Sequence, residues 1–187
     1  MTVKSVILLV LSGVLANNFV FERFFGAAPI FGLSRKEHAL PALGLGVFCV
    51  MIISAPLLWA VNTFFLAPNN LLYLQTLCFT ALIVCVACLV AFLAKVLLKK
   101  ELESYFLLLA VNSAVFALCV TGITDGLSFP ILLLNAFGVG LGYLFALFVF
   151  AGLREKVDDF YIPKAFRGFP IQLLAAAIVS MVLLAFK

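Results

Sequence analysis

Six apolar segments, most of them long enough to cross a lipid bilayer, alternate with short loops along this chain. A transmembrane helix needs about 20 apolar residues. Of the 187 residues, 66% are hydrophobic and 11% are charged, a composition that one water-facing surface cannot cover. We therefore predict an all-α integral membrane protein, embedded in the lipid bilayer, with six transmembrane helices at Val3–Phe21, Leu40–Asn62, Leu71–Leu98, Tyr105–Val120, Phe129–Leu153 and Phe169–Phe186.

Asparagines lie at corresponding places in two of these segments. Asn17 and Asn18 are near the end of the first segment, and Asn112 lies inside the fourth. A side-chain amide in hydrocarbon needs a hydrogen-bond partner, so it indicates packed protein, a broken helix or a polar pathway. We expect the first and fourth helices to be short or broken, and we name Asn17, Asn18 and Asn112 as candidates for a midplane site or an ion pathway.

Glu22 directly follows the first membrane segment, whereas the glutamates and aspartates after residue 100 lie in loops. An ionisable residue at membrane depth is a functional candidate. Two interpretations stay open for Glu22: a place in an ion pathway, or an interfacial ion pair with Arg23 or the following loop. No set of residues for hydrolytic catalysis is present, so we predict no catalytic site within this chain.

The chain repeats itself weakly at an offset of 94 or 95 residues. Three spans in each half place the two halves in opposite orientations, which is the inverted-topology architecture with a site at the midplane. We predict a single membrane domain, 1–187, built from repeat one (1–98) and repeat two (99–187). The matching pairs are Asn17-x-x-Val20-Phe21 with Asn112-x-x-Val115-Phe116, Ala42–Gly46 with Ala136–Gly140, and Pro68 with Pro163.

Glycines and cysteines in the apolar segments point to packing. The run Gly138-x-Gly140-x-Gly142 has no strand before it, so we predict close helix contact there and no phosphate binding. Cys85 and Cys88 lie about one helical turn apart; we predict buried packing, with metal ligation as the alternative if a second pair faced them. With His38 as the single histidine, no metal site is predicted.

Basic residues predict the orientation, because Lys and Arg in short loops stay on the cytoplasmic side. Of the 12 Lys and Arg residues, all but Lys4 and Lys187 lie at the ends of spans one, three and five or in the loops that follow them. We predict a multi-pass protein of the bacterial cytoplasmic (inner) membrane with both termini outside the cytoplasm. A signal peptide at the N-terminus is the disfavoured alternative, and no basic face suggests nucleic acid as a partner.

Several motifs together resemble the Rnf/Nqr membrane-subunit family, and most of all its branch that contains the Rnf A subunit and the E subunit of the sodium-translocating NADH:quinone reductase. The resemblance spans nearly the whole chain and implies a six-helix, inverted-repeat subunit of a membrane redox pump. The implied partners are a homologous sister subunit, other Rnf/Nqr-type subunits or a second copy of this chain. The motifs are Asn17–Val20, Phe25–Pro29, Gly32–Lys36, Leu72–Leu77, Val111–Val115, Ala151–Lys156 and Pro163–Gly168.

The resemblance also implies a cofactor. In this family, the paired sister subunits hold a [2Fe-2S] cluster in the membrane, and each of them gives two cysteines. The family's cysteine positions fall on Ala28 and Ser113 in this sequence. Alanine cannot coordinate iron, and a neutral serine hydroxyl is a poor replacement for a thiolate. We therefore predict no cofactor ligated by this chain.

Two hypotheses for function follow. In the first, the chain is a membrane subunit of an Rnf/Nqr-type ion-translocating electron transport complex that couples redox transfer to Na⁺ or H⁺ movement. In the second, it is a diverged paralogue without the cysteines that serves as a non-redox transporter or an assembly scaffold. The chain is at most a subunit of a translocase in either case.

The predicted orientation can be tested with a cysteine at position 100 in a cysteine-free background. Because Lys100 lies in a predicted cytoplasmic loop, an impermeant maleimide should leave Lys100→Cys unlabelled in intact cells and should label it after permeabilisation. A cysteine at position 69, in a predicted outside loop, is the positive control. Labelling of Lys100→Cys in intact cells would reverse the orientation.

Overall fold

The computed structural model describes residues 3–27, 39–98, 109–156, 163 and 166–185, and every regular element in these ranges is helical. A π-helical turn, Ser12–Ala16, extends the first helix, a second one, Asn62–Leu66, extends the second helix, and a 3₁₀ turn, Leu72–Leu74, precedes the third. The α-helices of the described ranges are α1 (Val3–Leu11), α2 (Ala39–Val61), α3 (Gln75–Leu98), α4 (Ser113–Thr124), α5 (Phe129–Lys156) and α6 (Phe169–Leu184).

Three of these helices are long and apolar enough to cross a membrane. These spans of 25 residues each are Ala42–Leu66, Leu72–Val96 and Phe129–Leu153, and their mean hydropathies are 2.2, 2.9 and 2.1, respectively. The stretches Val6–Leu15, Ser113–Thr124 and Phe169–Leu184 are shorter and also apolar. The predicted all-α membrane protein of about six helices is confirmed.

The first and fourth helices are short or broken, as predicted. The predicted first span reached Phe21, but regular helix ends at Ala16. In the fourth, Leu109 and Ala110 are helical, the helix is interrupted at Val111 and Asn112, and α4 then begins at Ser113. The residues before Leu109 in the predicted fourth span, 105–108, lie outside the described part. The inverted symmetry of the two repeats stays a prediction.

Local residue choice explains where several helices begin. A proline in the first turn costs no hydrogen bond, and α6 begins with Phe169 and Pro170. Asn112 caps α4, because its side-chain oxygen accepts a hydrogen bond from the Ala114 backbone N–H. Gly126, with φ +63°, allows the tight turn between α4 and α5.

The α5 helix lies at the centre of the fold, where it packs against α1, α2, α4 and α6. Its buried side chains recur at helical spacing and face those of α2, so that the two helices share one apolar core. On α2 the buried face comprises Leu43, Val47, Val50, Met51, Ser54, Ala55 and Leu58, and on α5 it comprises Leu132, Ala136, Val139, Tyr143, Ala146, Leu147 and Phe150.

Glycines bring α5 into close contact with the first helical segment. A Cβ atom added at Gly142 would lie 2.5 Å from the Gly13 carbonyl oxygen, and one at Gly138 would lie 3.2 Å from the Val10 Cα atom. On the opposite side of α5, the Phe48 ring packs directly against Gly140. A Cβ atom added at Gly140 would lie 2.6 Å from that ring. The predicted packing role of these glycines is confirmed.

The close contact predicts a position-dependent effect of alanine on α5. Gly142→Ala should lower the free energy of unfolding by about 1–3 kcal/mol, because backbone atoms of the first segment would have to move. Gly152→Ala is the matched control on the same helix, since a Cβ there meets nothing within 4 Å. Thermal unfolding in detergent measures both. Equal melting temperatures for the two variants would show that Gly142 does not set the helix contact.

Candidate functional site

The first helix ends at Ala16, and the irregular chain of residues 17–27 that follows it is the first break. This break is organised by Asn18, which is buried. Its side-chain Nδ2 donates to the Val14 carbonyl oxygen at 2.8 Å and to the Gly142 carbonyl oxygen at 2.9 Å. Its Oδ1 accepts from the backbone N–H groups of Val20 at 3.0 Å and Phe21 at 3.3 Å. Both amide hydrogens are therefore used, and both oxygen lone pairs are too. Asn18 replaces backbone hydrogen bonds that the break removes.

The second break is organised in the same way by Asn112, which is 4% exposed. Its Oδ1 accepts from the Ala114 backbone N–H at 3.0 Å. Its Nδ2 donates to the Tyr143 hydroxyl oxygen at 3.1 Å. Each break thus has one buried asparagine that hydrogen-bonds both to local backbone and to α5.

The two breaks meet at Gly26, which adopts a positive φ of 72°. Its backbone N–H donates to the Ser113 Oγ at 2.8 Å, and its carbonyl oxygen accepts from the Tyr143 hydroxyl at 3.3 Å. A Cβ atom added here would lie 2.7 Å from the Tyr143 ring, 2.8 Å from the Asn112 Oδ1 and 2.9 Å from the Ala114 Cβ. Glycine is therefore required at this position for its conformation and for its size.

The structure separates the residues that the sequence grouped together. Asn18 and Asn112 are buried, but Asn17 is exposed and donates to the Ser12 Oγ at 2.9 Å. Of the three asparagines named as midplane candidates, Asn17 is therefore the one that does not pack inside the protein. Glu22 is exposed, and Ala28 lies outside the described residues. A role of Asn17, Asn18, Glu22 or Asn112 in an ion pathway stays a prediction.

A cleft of about 250 Å³ lies between the first break and α6. The Ser180 Oγ bridges the two, because it lies 2.8 Å from the Phe21 carbonyl oxygen as well as 2.9 Å from the carbonyl oxygen of Ala176 in its own helix. The lining is mostly apolar and consists of Leu15, Asn18, Phe21, Glu22, Phe24, Ser180, Leu183 and Leu184.

Three parts of this site were not predicted from the sequence: Tyr143, Gly26 and the Gly142 carbonyl. Tyr143 was detectable as a hydroxyl-bearing residue in the middle of the apolar fifth segment. Buried tyrosine hydroxyls usually have a hydrogen-bond partner, so the residue indicated a polar contact. Nothing local in the sequence identified Asn112 and Gly26 as that partner pair.

The described residues do not offer a metal site. No group of three or more His, Cys, Asp or Glu side chains in the described ranges could hold a metal ion. Cys119 is buried, whereas Cys85 and Cys88 are exposed on α3, so the buried packing predicted for that pair was wrong. At Ser113, where the resemblance implies a cysteine, the side chain offers an oxygen that already accepts the Gly26 N–H. The donor set does not fit a [2Fe-2S] cluster, which normally needs four thiolates.

The neighbours Asn17 and Asn18 form a matched pair for mutagenesis. Asn18→Ala removes the hydrogen bonds of a buried amide, each worth about 1–2 kcal/mol in model membrane helices, so its melting temperature should fall clearly. Asn17→Ala removes an exposed contact and should change stability by less than about 0.5 kcal/mol. Thermal unfolding in detergent compares the two. A larger effect at position 17 would contradict the assigned roles.

Comparison with known proteins identifies the family. The family described as "Rnf-Nqr subunit, membrane protein" matches residues 6–187. The A subunit of the ion-translocating oxidoreductase complex of Syntrophotalea carbinolica is 36% identical over 186 residues, which is 98% of this chain and 96% of the relative. The A subunit of the Na⁺-translocating ferredoxin:NAD⁺ oxidoreductase complex of Acetobacterium woodii is 32% identical over 98% of this chain and 97% of its own length.

A third relative agrees with these two. The A subunit of the proton-translocating ferredoxin:NAD⁺ oxidoreductase complex of Clostridium ljungdahlii is 33% identical over 98% of this chain and 96% of its own length. The resemblance drawn from the sequence motifs is confirmed over nearly the full chain. With this coverage and identity, the chain belongs to the Rnf-Nqr family of membrane subunits.

Proposed function

We propose that this chain is a membrane subunit of an Rnf/Nqr-type ion-translocating electron transport complex, which couples redox transfer to the movement of Na⁺ or H⁺. The observation that carries the proposal is full-length similarity to proteins named as the A subunits of such complexes. Because those relatives are named for both ions, the proposal leaves the ion as Na⁺ or H⁺.

The proposed partner is a homologous sister membrane subunit, and the two helix breaks support its location. Backbone outside regular helix is tolerated at membrane depth where protein or water covers it, and not where it faces lipid. Val111, at the second break, is 74% exposed in the single chain, and Phe24, at the first, is 47% exposed. Ser113 is also exposed. A sister protein that covers this face would keep the two breaks out of contact with lipid.

The proposed location is the bacterial inner membrane, with both termini outside the cytoplasm. The basic residues that follow spans one, three and five support this orientation. The candidate ion-pathway residues would then lie at the two breaks.

The chain supplies no ligand to a cluster in this proposal. Alanine at position 28 and the hydrogen-bonded hydroxyl of Ser113 support this part. Electron transfer is therefore assigned to other subunits of the complex. The same two residues favour the second candidate, a diverged paralogue that serves as a non-redox transporter or scaffold. The two candidates differ in whether the chain resides in a redox assembly.

Affinity purification from the native host distinguishes the two candidates. A C-terminally tagged chain at native expression level, extracted with a mild detergent, should recover flavin- and iron–sulfur-containing subunits in fixed stoichiometry. A tagged, unrelated multi-pass protein from the same membranes is the control. Recovery of the chain without redox subunits would favour the paralogue.

Ion transport in inverted vesicles gives a functional measurement of the same proposal. In vesicles from a strain without this chain, uptake of Na⁺ or H⁺ driven by reduced ferredoxin with NAD⁺, or by NADH with a quinone, should be lost. The wild-type chain and Gly152→Ala should restore it, because a Cβ atom at position 152 meets nothing within 4 Å. Uptake that does not depend on the chain would contradict the proposed function.

A further inference from the structure

Gly26 is held on both sides of its peptide backbone by side chains from distant parts of the chain. Its N–H donates to the Ser113 Oγ at 2.8 Å, across 87 residues of sequence, and its carbonyl oxygen accepts from the Tyr143 hydroxyl at 3.3 Å, across 117 residues. Hydrogen bonds over such separations fix one segment relative to another and are not a consequence of local turn geometry. The turn that leads to Ala28 is therefore tied to α4 and to α5.

The hydrogen atoms of this network are consistent with a single arrangement. The Ala114 N–H donates to the Asn112 Oδ1, the Asn112 Nδ2 donates to the Tyr143 hydroxyl, and that hydroxyl donates to the Gly26 carbonyl oxygen. A tyrosine hydroxyl has one hydrogen to donate, and here it accepts from one side and donates to the other. Because Asn112 and Tyr143 are buried, water cannot replace a lost partner. Each broken hydrogen bond would therefore leave a buried polar group unsatisfied.

We propose that Ser113, Asn112 and Tyr143 form a metal-independent clamp that positions the Gly26 turn at the place where the family resemblance puts a cluster ligand. In the clamp, Tyr143 is a positioning residue that acts on the turn through the Gly26 carbonyl. The inference goes beyond the proposed function and rests on one part of it, which is that this chain gives no cluster ligand. A turn held by these hydrogen bonds stays in place whether iron is present or absent and whether its surroundings are oxidised or reduced.

The clamp joins the same two segments that carry the family's cysteine positions. Ser113 lies beside Gly26, so the second of those positions is next to the turn that leads to the first, at Ala28. A metal cluster would join such segments by covalent ligation. Here the Gly26 N–H donates to Ser113 and the Gly26 carbonyl oxygen accepts from Tyr143, and these two bonds fix the geometry without the cysteines.

The steric environment of Gly26 supports one fixed position for the turn. Atoms of Tyr143, Asn112 and Ala114 lie within 3 Å of the place where a Cβ would be. The positive φ of 72° adds a conformation that other residues adopt rarely. The turn is thus enclosed by Tyr143, which also hydrogen-bonds to it, and by Asn112 and Ala114.

Hydrogen–deuterium exchange of the purified protein in detergent, read on peptides that contain Gly26, tests the clamp. Ser113→Ala should speed exchange of the Gly26 amide about three- to tenfold, because a neutral hydrogen bond contributes roughly that factor. Ser113→Thr keeps the hydroxyl and should restore slow exchange. Ser113 is exposed at the start of α4, so the alanine variant should fold.

Tyr143→Phe tests the hydrogen bond from the Tyr143 hydroxyl to the Gly26 carbonyl oxygen, because the variant lacks only the hydroxyl group. Exchange of the Gly26 turn should rise again about three- to tenfold, since the Gly26 carbonyl loses its donor and Asn112 loses its acceptor. Tyr73→Phe is the matched control, because Tyr73 is 77% exposed, and it should leave exchange at the turn unchanged. Unchanged exchange in both Ser113→Ala and Tyr143→Phe would overturn the proposal.

Chelation separates a clamp made of hydrogen bonds from a turn held by metal. Treatment of the wild-type protein with o-phenanthroline, or with dithionite and chelator together, should leave exchange at the Gly26 turn unchanged. Faster exchange after chelation would show that a metal holds the turn and would overturn the proposal. These measurements do not depend on which subunits co-purify, so a failure of the clamp and a failure of the proposed complex are distinguishable.

Discussion

The structure depends on hydrogen-bond partners for the backbone N–H and C=O groups at the two breaks in its apolar helices. A broken helix in hydrocarbon exposes N–H and C=O groups that have no water to bond with, and each such group costs several kcal/mol. Asn18 meets this requirement at the first break with two donated and two accepted hydrogen bonds. Asn112 does so at the second break as the cap of α4.

The central helix α5 hydrogen-bonds to both breaks through two adjacent residues, Gly142 and Tyr143. Gly142 has no side chain, so the first segment approaches closely, and the Gly142 carbonyl oxygen then accepts from Asn18. Tyr143, the next residue, bonds to Asn112 and to Gly26. Packing and polar contacts are therefore coupled here, because the hydrogen bonds form at the distance that the glycine allows. The exposed side of both breaks is the face that we propose a sister subunit covers.

The class of this protein and the nature of its elements follow from the amino-acid sequence alone. Apolar segments of membrane length can fold only as helices in lipid, and the asparagines within them correctly predicted the two breaks. The glycines of α5 predicted close helix packing for the same local reason, since the absence of a side chain is a property of the residue. These predictions needed no knowledge of which segments are neighbours.

Tertiary packing, in contrast, selects which polar residue is buried and what it bonds to. The sequence repeat aligned Asn17 with Asn112, but Asn18 has the matching buried position, and this pairing has the 94-residue offset that also relates the two glycine motifs. Asn17, the first residue after the helix, is exposed, and its side chain donates to the nearby Ser12 Oγ. The contact between Gly26 and Ser113 joins residues 87 positions apart, so it exists only once both breaks have packed against α5.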